Sequence, residues 1–307
     1  MARLAESALI IGCGYLGRVL ARRLLDRGLT VYGTTRSQQN AEELFALGVR
    51  PMLLAVTQRP TFASLRPALE APSLDVYYLV PPGQPHDDNP SPRNIILGGI
   101  AYTINALRTA RGLRRAILTS STAVYGQTDN ARVDADTPAQ PASERAALLL
   151  RGEELWLESG LPTHVLRLAG LYGPGRIVGF KAVVEGAPLV GNPDAMLNLI
   201  HVEDAADLLI AMMESDAVGR IELGCDDRPT PRLAYYTKLA QRLNVAPPRV
   251  LNDPAALAQL GINTTRLARS SSKTCDNTST CRRTGWRPRY SDVDQGLDAI
   301  LENITRR

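Results

Sequence analysis

A glycine-rich turn, Gly12-Cys13-Gly14-Tyr15-Leu16-Gly17, stands near the start of the chain between a short apolar run and a helical pattern. That placement restricts the chain to few architectures. Ala8–Ile11 is apolar throughout and ends at the first glycine. Tyr15–Arg27 follows, with Leu16, Val19, Leu20, Leu24 and Leu25 at helical spacing, and Gly28 closes it. The alternation then repeats. Strands are expected at Leu29–Gly33, Val49–Val56, Asp75–Val80, Arg115–Ser121 and Thr163–Leu168. Helices are expected at Ser37–Leu47, Thr61–Leu69, Asn94–Ala110 and Ser143–Ser159. Strands covered on both faces read as continuous apolar runs. Strand–helix units at intervals of roughly 25 residues predict an α/β chain with a doubly wound parallel sheet.

A chain of 307 residues holds more than that sheet, at ~100–200 residues per domain. Residues 1–170 are expected to form a dinucleotide-binding domain of the Rossmann kind, with 198–225 returning to the sheet. The return would run through a helix at Asp204–Glu214 and a strand at Arg220–Leu223. Residues 171–197 and 226–307 are expected to build a smaller C-terminal substrate lobe.

Several function classes are disfavoured. No run reaches the ~18 apolar residues of a membrane span, so no membrane partner is expected. Met1–Glu6 and the brief run Ala8–Ile11 do not read as a secretory signal, which makes the cytoplasm the expected location. Cys275 and Cys281 have no histidine or further cysteine near them, so no metal site is expected. Net charge is +4 and the pI about 9.0. The basic residues are interleaved with acids, and no nucleic-acid partner is expected.

Ligands of doubly wound sheets bind beyond the carboxyl ends of the strands. In a G-x-G-x-x-G turn the first glycine permits the tight bend, the second admits a pyrophosphate, and the third lets helix and strand pack closely. Gly12, Gly14 and Gly17 match these roles, and Tyr15 and Leu16 open the helix whose amides would face the phosphates. The second strand ends in Gly33-Thr34-Thr35-Arg36-Ser37, without the acid that holds the ribose of NAD. Arginine suits a 2′-phosphate. NADP(H) is therefore expected over NAD(H), with Arg36 as phosphate clamp and Thr35 and Ser37 as donors. A ligand-free turn and an Arg36 that merely faces solvent remain the bland alternatives.

Four further stretches carry a resemblance. Leu118-Thr-Ser-Ser121-Thr-Ala-Val-Tyr125-Gly126 resembles the S-S-x-x-V-Y-G signature of the extended short-chain dehydrogenase/reductases, the NAD-dependent epimerase/dehydratase family. Arg167–Arg176, Asn198–Ala206 and Gly285-Trp-Arg-Pro288 resemble its later motifs in order and spacing. The resemblance implies that Ser121 hydrogen-bonds a substrate hydroxyl or carbonyl. It places Val80 and Pro81 against the cofactor and Ala169 and Gly170 beside the nicotinamide. It places Tyr172, Arg176, Asn198 and His201 along the substrate cleft, although His201 reads equally as a packed core residue. Epimerases of this type often pair through two helices. A homodimer through Asn94–Ala110 and Ser143–Ser159 is thus an open expectation, against which the charges Glu144, Arg145, Arg151 and Glu153 weigh.

The chain departs from the pattern where the family has its base, a tyrosine in Y-x-x-x-K. No tyrosine occurs between positions 126 and 171, and the lysines are at 181, 238 and 273 only. Alignment on the helix puts Arg145 at the tyrosine and Leu149 at the lysine. Arginine cannot act as a general base at ordinary pH, but it can polarise a carbonyl or hold an anion. The fingerprint is also G-x-G where the family usually has G-x-x-G. Two readings stay open. One is an NADP(H)-dependent oxidoreductase or epimerase for a small polar substrate, free or nucleotide-linked, with Ser121 orienting it and Tyr125, Tyr172 or water replacing the dyad. The other is a non-catalytic NADP(H)-binding redox sensor or partner-binding module.

Overall fold

The computed structural model describes residues 4–81, 83, 91–251, 253, 257 and 272–305. Residues 258–271, part of the expected smaller lobe, lie outside the described set. A seven-stranded, wholly parallel sheet organises the chain. Its strands are β1 (Ser7–Ile11), β2 (Thr30–Thr35), β3 (Arg50–Leu53), β4 (Leu74–Tyr78), β5 (Leu113–Ser121), β6 (Thr163–Leu168) and β7 (Ile221–Gly224). They lie in the order β7-β6-β5-β4-β1-β2-β3. Strand order reverses between β1 and β4, which opens a crevice at their carboxyl ends.

The longer helices among the described residues are α1 (Tyr15–Asp26), α2 (Gln38–Ala46), α3 (Gly99–Leu107), α4 (Glu144–Leu157), α5 (Val202–Glu214), α6 (Arg232–Arg242) and α7 (Val293–Thr305). Side-chain oxygens fix two of their starts: Ser37 accepts from Asn40 N and Ser143 from Ala146 N. The continuous apolar character of β1 follows from its two covered faces. Ala8 and Ile10 pack into a cluster with Leu20 of α1 and Leu209 of α5. Leu9 and Ile11 pack into another with Ile100 of α3 and Trp156 of α4. A third apolar cluster, remote from the sheet, joins Tyr172, Val183, Tyr235, Leu239, Val293 and Leu297.

Boundaries shift for local reasons. The segment expected as one helix over 94–110 opens with a wide π turn, Asn94–Gly98, before α3. The segment over 61–69 is a 3₁₀ turn, Arg59–Leu65, followed by one α turn. Pro60 and Pro67, each near the start of its element, divide the two. β3 stops at Leu53, and the Thr61 hydroxyl donates to the Ala55 carbonyl at 3.0 Å just beyond it. The expected return to the sheet is made by 221–224 alone. Leu199–His201 pairs instead with Gly170–Tyr172, in parallel and outside the main sheet. Among the described residues, no helix is long and apolar enough to cross a membrane.

Candidate functional site

Each fingerprint glycine meets a different constraint. Gly12 has φ +87°, and a Cβ there would lie 3.0 Å from both the side chain and the amide nitrogen of Val80. A Cβ on Gly17 would lie 3.1 Å from the Gly12 carbonyl and 3.2 Å from Ile10, so α1 sits directly on β1. A Cβ on Gly14 would meet no protein atom within 4 Å; it would stand in the crevice itself. No side chain caps the start of α1, so its first amides face the crevice without a side-chain acceptor. Gly12 N donates to Thr34 Oγ1 at 2.9 Å, and Cys13 N donates to the Thr34 carbonyl at 2.9 Å. Thr34 therefore holds the turn to β2. Sequence reasoning passed over it for Thr35, because the strand carries Thr30, Thr34 and Thr35 alike and nothing local tells which hydroxyl faces the glycine turn.

The crevice is a cavity of about 400 Å³. It brings together Gly12, Gly14, Tyr15, Leu16 and Gly17 with Val80 and Pro81 from the β4 end and Ala169 and Gly170 from the β6 end. Ser121, Arg145 and Arg176 also line it. Leu149 does too, so both positions expected to align with the family dyad line this space. Arg176 lies over the Tyr15 ring at 5.6 Å, and Tyr15 OH donates to the Pro174 carbonyl at 3.2 Å. Burial pushes the Tyr15 phenol up to about 12, against the pull of Arg176. Arg176 thus belongs to the glycine-lined crevice rather than to the neighbouring cavity. Thr35, Arg36 and Ser37 lie at the β2 end outside the lining, with Arg36 and Ser37 exposed.

A second cavity of about 360 Å³ is lined by Ser121, Thr122, Ala123, Gly126, Ala142, Ser143, Asn198 and Lys273. Ser121 and Ala123 line both cavities. Ser121 Oγ accepts from Ala123 N at 3.1 Å, which turns the chain into a short 3₁₀ segment and leaves the hydroxyl proton to donate elsewhere. Asn198 reaches this wall chiefly as a clamp. Its Nδ2 donates to the Lys273 carbonyl at 2.9 Å and its Oδ1 accepts from Cys275 N at 2.7 Å.

Three expected site residues are corrected by their packing. Tyr125 lines neither cavity and is fully buried. Its hydroxyl donates to the Asp134 carbonyl at 2.7 Å and accepts from Arg167 Nη1 at 2.9 Å. Burial raises its pKa to about 12, and both contacts of its hydroxyl lie inside the protein. Tyr172 is also fully buried, and a Cβ on Gly296 of α7 would overlap its hydroxyl at 1.9 Å. It packs against α7 and lines neither of the two cavities. His201 is 2% exposed and caps α5, its Nδ1 accepting from Glu203 N at 3.3 Å. Burial, with Arg289 adding to it, lowers its pKa to about 4, so the ring is neutral and packed between Tyr172 and Tyr290.

The C-terminal motif is an anchor. Asp204 accepts from Arg289 N at 2.8 Å and Tyr290 N at 3.0 Å, just beyond Gly285–Pro288. Beneath the site runs a network that sequence reasoning missed. Ser120 Oγ donates to Glu153 Oε1, Glu153 pairs with Arg167, and Arg167 reaches Tyr125. Glu153 is 1% exposed; it points into the protein and offers no obstacle to helix pairing at the surface.

The NAD-dependent epimerase/dehydratase family matches residues 8–224. The chain belongs to this family. Protein YeeZ of Escherichia coli is 27% identical over 287 residues, covering 92% of this chain and 96% of that protein. A 3-diazoavenalumate denitrifying reductase from a Streptomyces species is 28% identical over 301 residues, again covering 92% and 96%. The structure of a functionally unknown conserved protein from Silicibacter pomeroyi has a TM-score of 0.78 at 30% identity, covering 97% of this chain and 98% of the other. The crevice of this chain is lined by the glycine turn together with Ser121, Arg145 and Leu149.

Proposed function

We propose that this chain is an NADP(H)-dependent oxidoreductase that acts on a small polar substrate without a tyrosine–lysine dyad. One observation carries the reading: the glycine-lined crevice and the polar cavity meet at Ser121. The crevice fits a dinucleotide, because the open space above Gly14 is where a side chain would block one. The first amides of α1 would take the pyrophosphate. Arg36, with Thr35 and Ser37, would take a 2′-phosphate, and Val80, Pro81, Ala169 and Gly170 would flank the rest. Bound there, the dinucleotide supplies hydride transfer.

The protein's own groups polarise rather than deprotonate. Ser121 keeps a hydroxyl proton to donate to a substrate oxygen. Arg145 faces the same space with a permanent charge. Neither can remove a proton from an alcohol, so the pair suits reduction of an already polarised acceptor over alcohol oxidation. A reductase among the full-length relatives supports that direction. In the same reading residues 1–170 hold the dinucleotide and the smaller lobe contributes Lys273 to the second cavity. A homodimer across α3 and α4 completes the proposal, and its test is the sedimentation mass.

The activity test is the nicotinamide absorbance of NADPH across a panel of carbonyl compounds and nucleotide sugars. Substrate-dependent oxidation is expected, falling by about 10²-fold in Ser121→Ala, as for loss of a single polarising donor. Tight NADPH binding with no turnover across the panel would instead favour the non-catalytic binding module. That rival draws on Arg145 and Leu149 standing where the dyad would be.

A further inference from the structure

We propose that Lys273 is the anion-binding residue of this site, and that the substrate carries a small oxyanion, a carboxylate or a phosphate, into the cavity beside Ser121. The inference gives the substrate class for the reading above, and its catalytic meaning rests on that reading.

The cavity is rich in donors. Lys273 is the only charged residue among the described residues that line it. Ser121 Oγ already accepts from Ala123 N, and Ser143 Oγ from Ala146 N at 3.2 Å. Each hydroxyl therefore has its proton left to give. No carboxylate belongs to the described lining. One ammonium and two donating hydroxyls around a space of about 360 Å³ match a compact anion and leave a substrate ammonium unmatched.

Lys273 is also held in position. The strand Lys273–Cys275 pairs in parallel with Ala131–Val133, Lys273 opposite Ala131. Asn198 clamps that strand at the Lys273 carbonyl and the Cys275 amide. Ser272, the preceding residue, donates to Asn130 Oδ1 and accepts from Met196 N. Lys273 itself is 8% exposed. Burial lowers its pKa from the ordinary lysine value, opposed by the Cys275 thiol. Lys273 lines the same cavity as Ser121, out of a strand 152 positions later in sequence.

Three lysines in the whole chain make the test direct. The full-length protein, with and without NADP⁺, is reductively methylated in the presence of inorganic phosphate, sodium pyruvate, the neutral isostere pyruvamide, or sodium chloride at equal ionic strength. Methylation at each lysine is read by mass spectrometry. Phosphate or pyruvate is expected to slow methylation of Lys273 about tenfold, with pyruvamide and chloride inert and Lys181 unchanged. Protection by phosphate alone assigns a phosphate group, and protection by pyruvate alone a carboxylate. Equal protection by pyruvamide or chloride, or none by either anion, overturns the proposal. Lys273→Met should lose calorimetric binding of the protecting anion by about tenfold, a difference of ~1.4 kcal/mol, and Lys273→Arg should keep it. NADP(H) binding in Lys273→Met should match the parent. Failure of the parent to bind NADP(H) would remove the cofactor reading, whereas anion protection without cofactor measures Lys273 separately.

Discussion

Glu153 and Arg167 form a two-point ion pair beneath the crevice, with Oε2 accepting from Nη2 at 2.7 Å and from Nε at 3.0 Å. Their side chains are 1% and 4% exposed. The pair is the middle of a chain of polar groups from Ser120, which lines the crevice, to the Tyr125 hydroxyl and the Asp134 carbonyl. It ties α4 to β6 below the serine that both cavities share.

Removing one partner from such a pair leaves a charge buried without compensation. Glu153→Ala is therefore expected to cost about 3–5 kcal/mol of stability, read from denaturant midpoints. The double change Glu153→Leu with Arg167→Met should cost less than the single one, because no charge is then stranded. A single variant within about 0.5 kcal/mol of the parent, the range of an ordinary surface substitution, would show that the pair does not hold α4.

Two glycines of the fingerprint should lose dinucleotide binding for different reasons. Gly12→Ala places a side chain at φ +87° and 3.0 Å from Val80, so both stability and dinucleotide binding should fall. Gly14 has φ −92° and ψ −137°, outside the α and β regions, and its Cβ would touch no protein atom within 4 Å. Gly14→Ala should therefore cost about 1–3 kcal/mol of backbone strain with no clash in the protein, and lose dinucleotide affinity about tenfold or more. Thermal unfolding and fluorescence titration with NADPH separate the two effects. Unaltered affinity in Gly14→Ala would place the pyrophosphate elsewhere.

Arg36 stands exposed at the β2 end, free of the crevice lining. A guanidinium-to-phosphate hydrogen-bond pair is worth about 1.5–3 kcal/mol. Arg36→Ala should thus weaken NADPH binding by about ten- to a hundredfold and leave NADH within about twofold. Equal losses for both cofactors would mean that Arg36 supports the β2 end and does not read the 2′-phosphate.

What the sequence revealed divides by distance along the chain. The glycine turn, the parallel strands and the order of motifs depend on neighbours within a few residues, and Thr163–Leu168 appears as expected. Glu153 could not be read as buried. It sits beside Glu154 in a helix with exposed charges, and its partner lies 14 residues away on a strand. Tyr125 looked available because nothing local shows that Arg167 and Asp134 occupy its hydroxyl. Lys273 stood out only as one of three lysines. Its place beside Ser121 needs the pairing of 273–275 with 131–133, a long-range contact that no local pattern encodes.

The final prediction concerns pH. Asp226 is 2% exposed, and one of its oxygens has no partner among the described residues. Burial raises its pKa to about 8, opposed by the Arg228 amide and reinforced by Asp227, Asp292 and Asp204. In the unfolded chain the same carboxyl titrates near ~3.9. Below that value both states hold the proton and the side chain carries no penalty. Between ~4 and about 8 the folded state keeps a proton that the unfolded state has lost, so stability falls as pH rises. Above the folded value the full cost of a buried carboxylate is present. Asp226→Asn removes this titration. Relative to that variant the parent should lose up to about 1.4 kcal/mol per pH unit across the window, measured by urea unfolding at stepped pH. Asp204, raised to about 6 chiefly by burial, is present in both proteins and largely cancels in the difference. Parallel stability curves for parent and variant would show that Asp226 is ionised in the folded protein at neutral pH.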